Sequence, residues 1–345
     1  MLADLIPRTF FVSQGDATLW LLVAASVAML VLGADRAVSS AARLAAVLGL
    51  SKVIIGATIV SLGTTSPETA VSVNAALKGD GGLALGNAVG SIICDTALIF
   101  GLGCCLVRLP KDRFILNRHG WLQLGSGVLL AGVLLVLWAL AGDINAVVIP
   151  RVVGFGFLAL LLGYLYLSVR WSRRHPEMTP LEAGETMKPN HLTRRAVGNL
   201  LMLGAGLALV VFGSEVLVGS SRTICVRYGV PEAIIAVTVV AVGTSVPELV
   251  TAIVSIIKGH SELLVGNIIG ADILNVLFVT GASAAAVPLK VDPMFYTFLV
   301  PVMIGVLVLF RIYIFMPGKT FQRWQGVPLL VIYAAFVLMT VLGIM

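Results

Sequence analysis

Two hexapeptides carry the groups in this 345-residue chain that can do chemistry. Gly63-Thr64-Thr65-Ser66-Pro67-Glu68 and Gly243-Thr244-Ser245-Val246-Pro247-Glu248 lie in register, each inside a long apolar stretch. Each supplies a carboxylate and two hydroxyls. Pro67 and Pro247 lack an N–H and crowd the carbonyl four residues back, so Gly63 and Gly243 each present a freed carbonyl and a helix break is expected there. A second pair of motifs follows, Gly86-Asn87-Ala88-Val89-Gly90 and Gly266-Asn267-Ile268-Ile269-Gly270. Just beyond them Ser91 and Asp95 are four apart and share a helix face, as do Ala271 and Asn275. Asp272 is one step off that face and is an accessory candidate. Every donor here is a hard oxygen. Such a set suits calcium, which takes about six to eight oxygens in flexible geometry, and sodium of similar size. Magnesium sheds its water reluctantly and fits less well. Softer metals prefer His or Cys, and neither lies within the hexapeptides. A single Gly-Thr-x-x-Pro reads as a helix kink, and a single apolar-segment Glu as an ion-pair partner. Neither reading explains a whole set repeated at constant spacing: 17 of the 53 residues at 49–101 recur at 229–281, with no basic residue placed to neutralise the acids.

The elements that hold these groups must live in lipid. Of the chain, 59% is hydrophobic and 12% charged, with mean hydropathy +1.03, where a soluble domain carries about a quarter charged residues. Ten stretches, roughly 17–34, 44–77, 83–107, 122–141, 146–169, 196–218, 230–257, 263–287, 294–314 and 327–344, meet the roughly 20 residues a helical span needs. The short alternating signal of a membrane β-barrel is missing. The expected fold is therefore an all-α integral membrane protein of ten transmembrane helices. Residues 1–170 form a first five-helix repeat with its motif region at about 49–101. A hydrophilic cytoplasmic linker occupies 171–195, rich in charge and in Pro176, Pro180, Gly184 and Pro189. Residues 196–345 form the second repeat, with its motif region at about 229–281. Five spans per repeat is an odd number, so the second copy enters from the opposite side and the repeats are inverted. Helices 2, 3, 7 and 8 are expected to be broken around a central ion site, since irregular backbone at membrane depth survives only where protein or a cavity satisfies it. The first apolar stretch, with Asp4 and Asp16 before it, is read as a retained helix and not as a leader.

The net charge of +6 points to orientation and not to nucleic acid, because Lys and Arg gather in cytoplasmic loops. With the N-terminus outside, the inner loops hold sixteen basic residues against six outside. Both termini are thus expected outside the inner (plasma) membrane. Cys94, Cys104, Cys105 and Cys225 read as small buried thiols. Lys78 and Lys258 read as snorkelling ends, and Lys52 and Glu232 receive no role. Asp35 and Glu215 read as interfacial partners of Arg36 and Arg222, and His119, His175, His191 and His260 as solvated loop residues.

At the paired motifs the chain resembles the cation/calcium exchanger superfamily, and within it the prokaryotic sodium/calcium exchangers, over the whole ten-helix layout. Their repeats have the form G-T-S-x-P-E followed by G-N-x-x-G-S-N-x-x-(N/D). The resemblance implies an antiporter, not an enzyme, with no cofactor, whose partners are Ca2+ and Na+ ions and the bilayer; no oligomer is expected from the sequence. It implies that Glu68 and Glu248 are the paired calcium-binding acids, with Thr64 and Thr244 giving carbonyls and hydroxyls, and Thr65 and Ser245 further hydroxyls. Carbonyls of Ser61 and Ala241 match sodium ligands, while Ser91, Asp95 and Asn275 match the second motifs. Three departures stand out. Asp95 and Asn275 exchange the Asn and Asp of the family pattern, Ala271 replaces a Ser, and Ile92 and Asp272 replace Asn. Proton/calcium exchange, or exchange of another divalent cation, is the rival reading and fits the hydroxyl lost at Ala271. A membrane phosphatase for lipid pyrophosphates is remote, because such an enzyme needs cationic groups to hold phosphate and Lys78 is the only basic residue between Val53 and Gly101.

Overall fold

The computed structural model describes residues 6–174, 189–229 and 243–342. Twelve helices follow one another along these residues: α1 (Arg8–Ser13), α2 (Asp16–Leu48), α3 (Lys52–Thr64), α4 (Ser66–Leu77), α5 (Gly81–Leu106), α6 (Arg113–Ala141), α7 (Arg151–Arg174), α8 (Pro189–Arg227), α9 (Val246–Ile257), α10 (Ser261–Ala286), α11 (Phe295–Phe315) and α12 (Gly326–Leu342). Eight of them are long and apolar enough to cross a membrane. The expected second span appears as α3 and α4, parted at Thr65. Of the expected seventh, the described part begins at Gly243. The segment read as a linker is helical at both margins, since α7 runs to Arg174 and α8 starts at Pro189; its middle lies outside the described residues.

Helix ends follow from glycine. Gly49 and Gly229 close α2 and α8 at φ +63° and +73°, and Gly79 and Gly259 close α4 and α9 at +85° and +69°. Only glycine adopts this left-handed conformation without strain, which accounts for two of the repeated glycine pairs.

α5 and α10 were expected to break, and they do not. Both run through, each widening instead into a π-helical turn, Cys94–Phe100 in α5 and Asn275–Thr280 in α10. Such a turn carries an extra residue per hydrogen-bonded ring and re-aims the side chains near it; here they include Asp95 and Asn275. α10 is the central column, buried at every residue from Leu263 to Leu274. It can be central because Gly266 and Gly270 let α3 come backbone to backbone: a Cβ at either would collide with Val53 or with Ala57 and Ser61. α5, α6 and α11 complete the large apolar core.

α2 and α8 pack along their length as an antiparallel pair. Arg227 meets Asp16 at one end (2.5 Å), Gly213 faces Ser26, Gly33 faces Gly206, and Arg43 bonds Asn199 at the other end (3.1 Å). The contacts obey an exchange rule: Gly33 on Gly206 becomes Gly213 on Ser26 when each residue is replaced by its counterpart in the other half. Connections touch in two groups. Val148 and Ile149 (β1) pair antiparallel with Lys290 and Leu289 (β2), whereas Pro110 bridges Thr320.

Asp35 pairs not with Arg36 but with Lys258, at 2.7 Å, and Lys258 also donates to Ser39 at 2.7 Å. His119, expected in a loop, is inside α6 and 1% exposed, ringed edge-on by Tyr164 and Trp171. Its neighbours in sequence are Arg118 and Gly120, so a single-residue view of local charge placed it wrongly.

Candidate functional site

Each hexapeptide forms the bend between two helical pieces. At Thr65 the backbone flattens (φ −81°, ψ −2°) and α4 restarts at Ser66-Pro67; at Ser245 it does the same (φ −88°, ψ 9°) and α9 restarts at Val246-Pro247. Proline is favoured in the first helical turn, where its missing N–H costs nothing. Glu68 and Glu248 thus fall in the first turns of α4 and α9. There the positive end of the helix dipole favours their negative charge. The first bend is tighter than a full break: the Ser61 carbonyl, expected as an ion ligand, accepts from the Thr65 amide at 2.8 Å and the Thr64 hydroxyl at 3.4 Å. Ala241 lies outside the described residues. The Gly243 carbonyl accepts from the Ser214 hydroxyl at 3.1 Å, which ties the second bend to α8.

The two halves are stitched across the site. The Thr64 hydroxyl donates to Asn267 Oδ1 and the Thr244 hydroxyl to Asn87 Oδ1, both at 3.3 Å. These bonds obey the exchange rule of the α2 and α8 pair. The Asn87 amide continues to the Glu68 carbonyl (3.2 Å) and the Ser72 hydroxyl (3.0 Å). Its counterpart Asn267 has an unpartnered Nδ2, because Ala252 stands where the first half has Ser72.

Glu68, Glu248 and Asp95 are each 1% exposed and lie close enough to interact by charge. The Glu248 carboxylate stands beside Thr64 and Thr65, and Ser245 beside Cys94 next to Asp95. Both oxygens of Glu68 and of Asp95 lack a hydrogen-bond partner, as do Glu248 Oε2, Asn275 Oδ1, Thr65 Oγ1 and Ser245 Oγ. Buried oxygens left this way are costly unless a cation meets them. Among the described residues no three acidic, imidazole or thiol groups close on one point. The convergence is instead of acids with hydroxyls and amide oxygens, the donor mix of a hard cation. Ser91 is buried one turn before Asp95.

Asp272 lies within charge range of Asp95 but makes its own bonds to α5 and α6. Its Oδ2 accepts from the Thr96 hydroxyl at 2.5 Å and the Gln123 amide at 2.6 Å. Thr96, Gln123, Asn87 and Asn267 were not singled out as site residues by sequence reasoning. The two asparagines carried a usable signal, their repetition in register; Gln123 lies outside the repeated stretch. A cavity of about 360 Å3 opens beside the site, lined by Phe11 of α1, Glu215 and Arg222 of α8, Pro67, Gly243 and Thr244.

The profile of the sodium/calcium exchanger protein family matches residues 18–170 and again 198–342. The chain is 34% identical to the putative antiporter CaxA of Alkalimonas amylolytica, over 80% of this chain and 82% of that protein. It is 29% identical to the sodium/calcium exchanger MaX1 of Methanosarcina acetivorans, over 92% and 97%. It is 31% identical to the inner membrane protein YrbG of Escherichia coli, over 82% and 85%. Its fold is similar to that of the sodium-calcium exchanger NCX_Mj, with a TM-score of 0.75 at 24% identity, over 92% of this chain and 96% of the other.

Proposed function

The chain belongs to the sodium/calcium exchanger protein family, a family of membrane cation antiporters, and on that premise we propose that it exchanges calcium for sodium by alternating access. Glu68 and Glu248 hold the divalent ion, with Asp95, Thr64, Thr65, Thr244, Ser245, Ser91, Asn275 and the Ser61 and Ala241 carbonyls completing the calcium and sodium shells. The observation that carries this reading is the stitched cluster itself: three buried carboxylates from both halves, their oxygens unpartnered, tied by reciprocal Thr–Asn bonds.

The mechanism follows from charge. An empty cluster of carboxylates resists being closed off from water, whereas one calcium or several sodium ions offset the charge and let the site occlude. Only loaded forms reorient, and that restriction makes transport an exchange. The ten helices are two inverted repeats. The antiparallel α2 and α8 and the exchange rule of the cross-half contacts support this, as does the grouping of loop contacts on two sides. α2 and α8 are the gate, sliding over the core formed by α3–α5 and α9–α10. The cavity between α1, α8 and Thr244 is the ion route on the side of the N-terminus, which is the outside by charge bias.

The test is calcium uptake into proteoliposomes under imposed sodium, potassium or proton gradients. A sodium gradient should drive uptake in the native protein, and Glu68→Gln and Glu248→Gln should abolish it. Uptake that survives Glu68→Gln would refute the scheme. Uptake driven by a pH gradient and not by sodium would favour the proton-coupled rival, which the missing hydroxyl at Ala271 supports.

A further inference from the structure

One ion pair is made on one side only, although both halves carry its residues. Lys258, at the end of α9, holds Asp35 of α2 at 2.7 Å and donates to the Ser39 hydroxyl, also at 2.7 Å. Their counterparts in the other half are Lys78, Glu215 and Gly219. The Lys78 ammonium, at the end of α4, has no ion-pair or hydrogen-bond partner among the described residues. The spaces between gate and core differ in the same sense. Where α8 stands off from α4, Val71, Glu215 and Val218 line the cavity of about 360 Å3. Where α2 meets α9, the counterparts Thr251 and Val38 line a space of about 10 Å3, the room of one water. α2 packs closely on α9, whereas α8 has little contact with α4.

We propose that the two ion pairs are alternating latches: Lys258 on Asp35 keeps the α2–α9 face shut while the α8–α4 face is open, and Lys78 on Glu215 shuts the α8–α4 face when the other opens. The proposal rests on the exchange reading above, in which α2 and α8 slide over the core. Lys78 follows Val71 by seven residues and so shares its face of α4, toward the cavity. Glu215 lines that cavity from α8. Closing the cavity therefore draws the two charges together, as Lys258 and Asp35 are drawn together at the face already closed. The latches must be weak to alternate, and they are. Lys258 and Asp35 are 27% and 53% exposed, and an ion pair so placed biases a helix position without locking it. Breaking one latch is offset by making the other, so the two faces stay close in energy and the bound ion decides which is open. Gly219 offers no hydroxyl where Ser39 does, so the Lys78 latch is held by charge alone.

The experiment reads which face is open, from the rate at which a water-soluble thiol reagent reaches a cysteine on each. Val218→Cys reports the α8–α4 face and Val38→Cys the α2–α9 face, in purified full-length protein in detergent. Each rate is measured above the label taken by the four native cysteines. Val218→Cys should label faster. Adding Lys258→Gln should raise the rate at Val38→Cys about two- to fivefold, with a smaller fall at Val218→Cys. Adding Lys78→Gln as well should return both rates toward their starting values, because the second latch is then gone too. Exchanging the charges, Asp35→Lys with Lys258→Asp, should also restore them, which a loss of mere packing would not allow. Unmoved rates in Lys258→Gln would overturn the proposal, as would a Lys258→Gln pattern that Lys78→Gln leaves unchanged. Should Lys258→Gln not fold, Asp35→Asn breaks the same pair and is judged in the same way. The labelling needs no transported ion. Shifted rates in a protein that exchanges no calcium would sink the exchange reading alone, and unmoved rates in one that does would sink the latches alone.

Discussion

Glu68 and Glu248 match in type, in position and in burial, while their surroundings do not. Asp95 stands where the second half has Asn275, so one half carries the extra charge. Asp95→Asn should weaken calcium binding roughly tenfold or more, since affinity follows the charge of the ligand set. Adding Asn275→Asp to it should recover most of the loss, as read by calcium titration. Loss with no recovery would mean that the side of the charge matters as much as its count. A second asymmetry is structural: Asn87 finds Ser72, and Asn267 finds Ala252. Ala252→Ser should give the idle Asn267 Nδ2 a partner and add about 0.5–1.5 kcal/mol, seen as a rise in thermal midpoint. Glu68 and Glu248 stood out in the sequence because they are duplicated. Asp272, Thr96 and Gln123 were not legible as a group, since they come from three different helices and none has an identical residue in the other half to draw attention. Asp35 likewise pairs with Lys258, a residue from the other half, and sequence proximity pointed to the wrong arginine.

At the scale of elements, proline signalled the two bends correctly, but glycine did not signal breaks in α5 and α10. Glycine at 266 and 270 serves close approach to α3, a long-range demand that nothing local encodes. The repeat also hides an inequality. Gly90, in register with Gly270, has nothing within 4 Å of where a Cβ would sit, whereas Gly270 meets the Ser61 hydroxyl and the Ala57 backbone. Gly270→Ala should therefore cost about 1–3 kcal/mol through overpacking, and Gly90→Ala close to nothing or a small gain in helix propensity. Thermal unfolding of the two purified variants in the same detergent checks this. Equal midpoints would mean that α3 can retreat from α10 freely. The π-helical turns were illegible for a different reason: they alter hydrogen-bond spacing without a diagnostic residue type, and Asp95 and Asn275 look from sequence like ordinary helix-face positions.

For the molecule as a whole, α2 runs antiparallel to α8 from Asp16·Arg227 to Arg43·Asn199, the pairing on which the proposed inverted repeat rests. The pair comes close through Gly33 on Gly206 and Gly213 on Ser26, the approach that the proposed sliding needs. Gly206→Leu should wedge the pair apart against the Gly33 carbonyl and the Ala37 backbone. Calcium exchange in proteoliposomes should be lost, while calcium still raises the thermal midpoint, because the ligands lie on other helices. Loss of both would place α2 and α8 within the binding unit. The π-helical turns close at the same place in each half, immediately before Gly101 and Gly281. Asp95 and Asn275 therefore stand in the same widened backbone, and the difference between the two positions is one of side-chain charge and not of helix geometry.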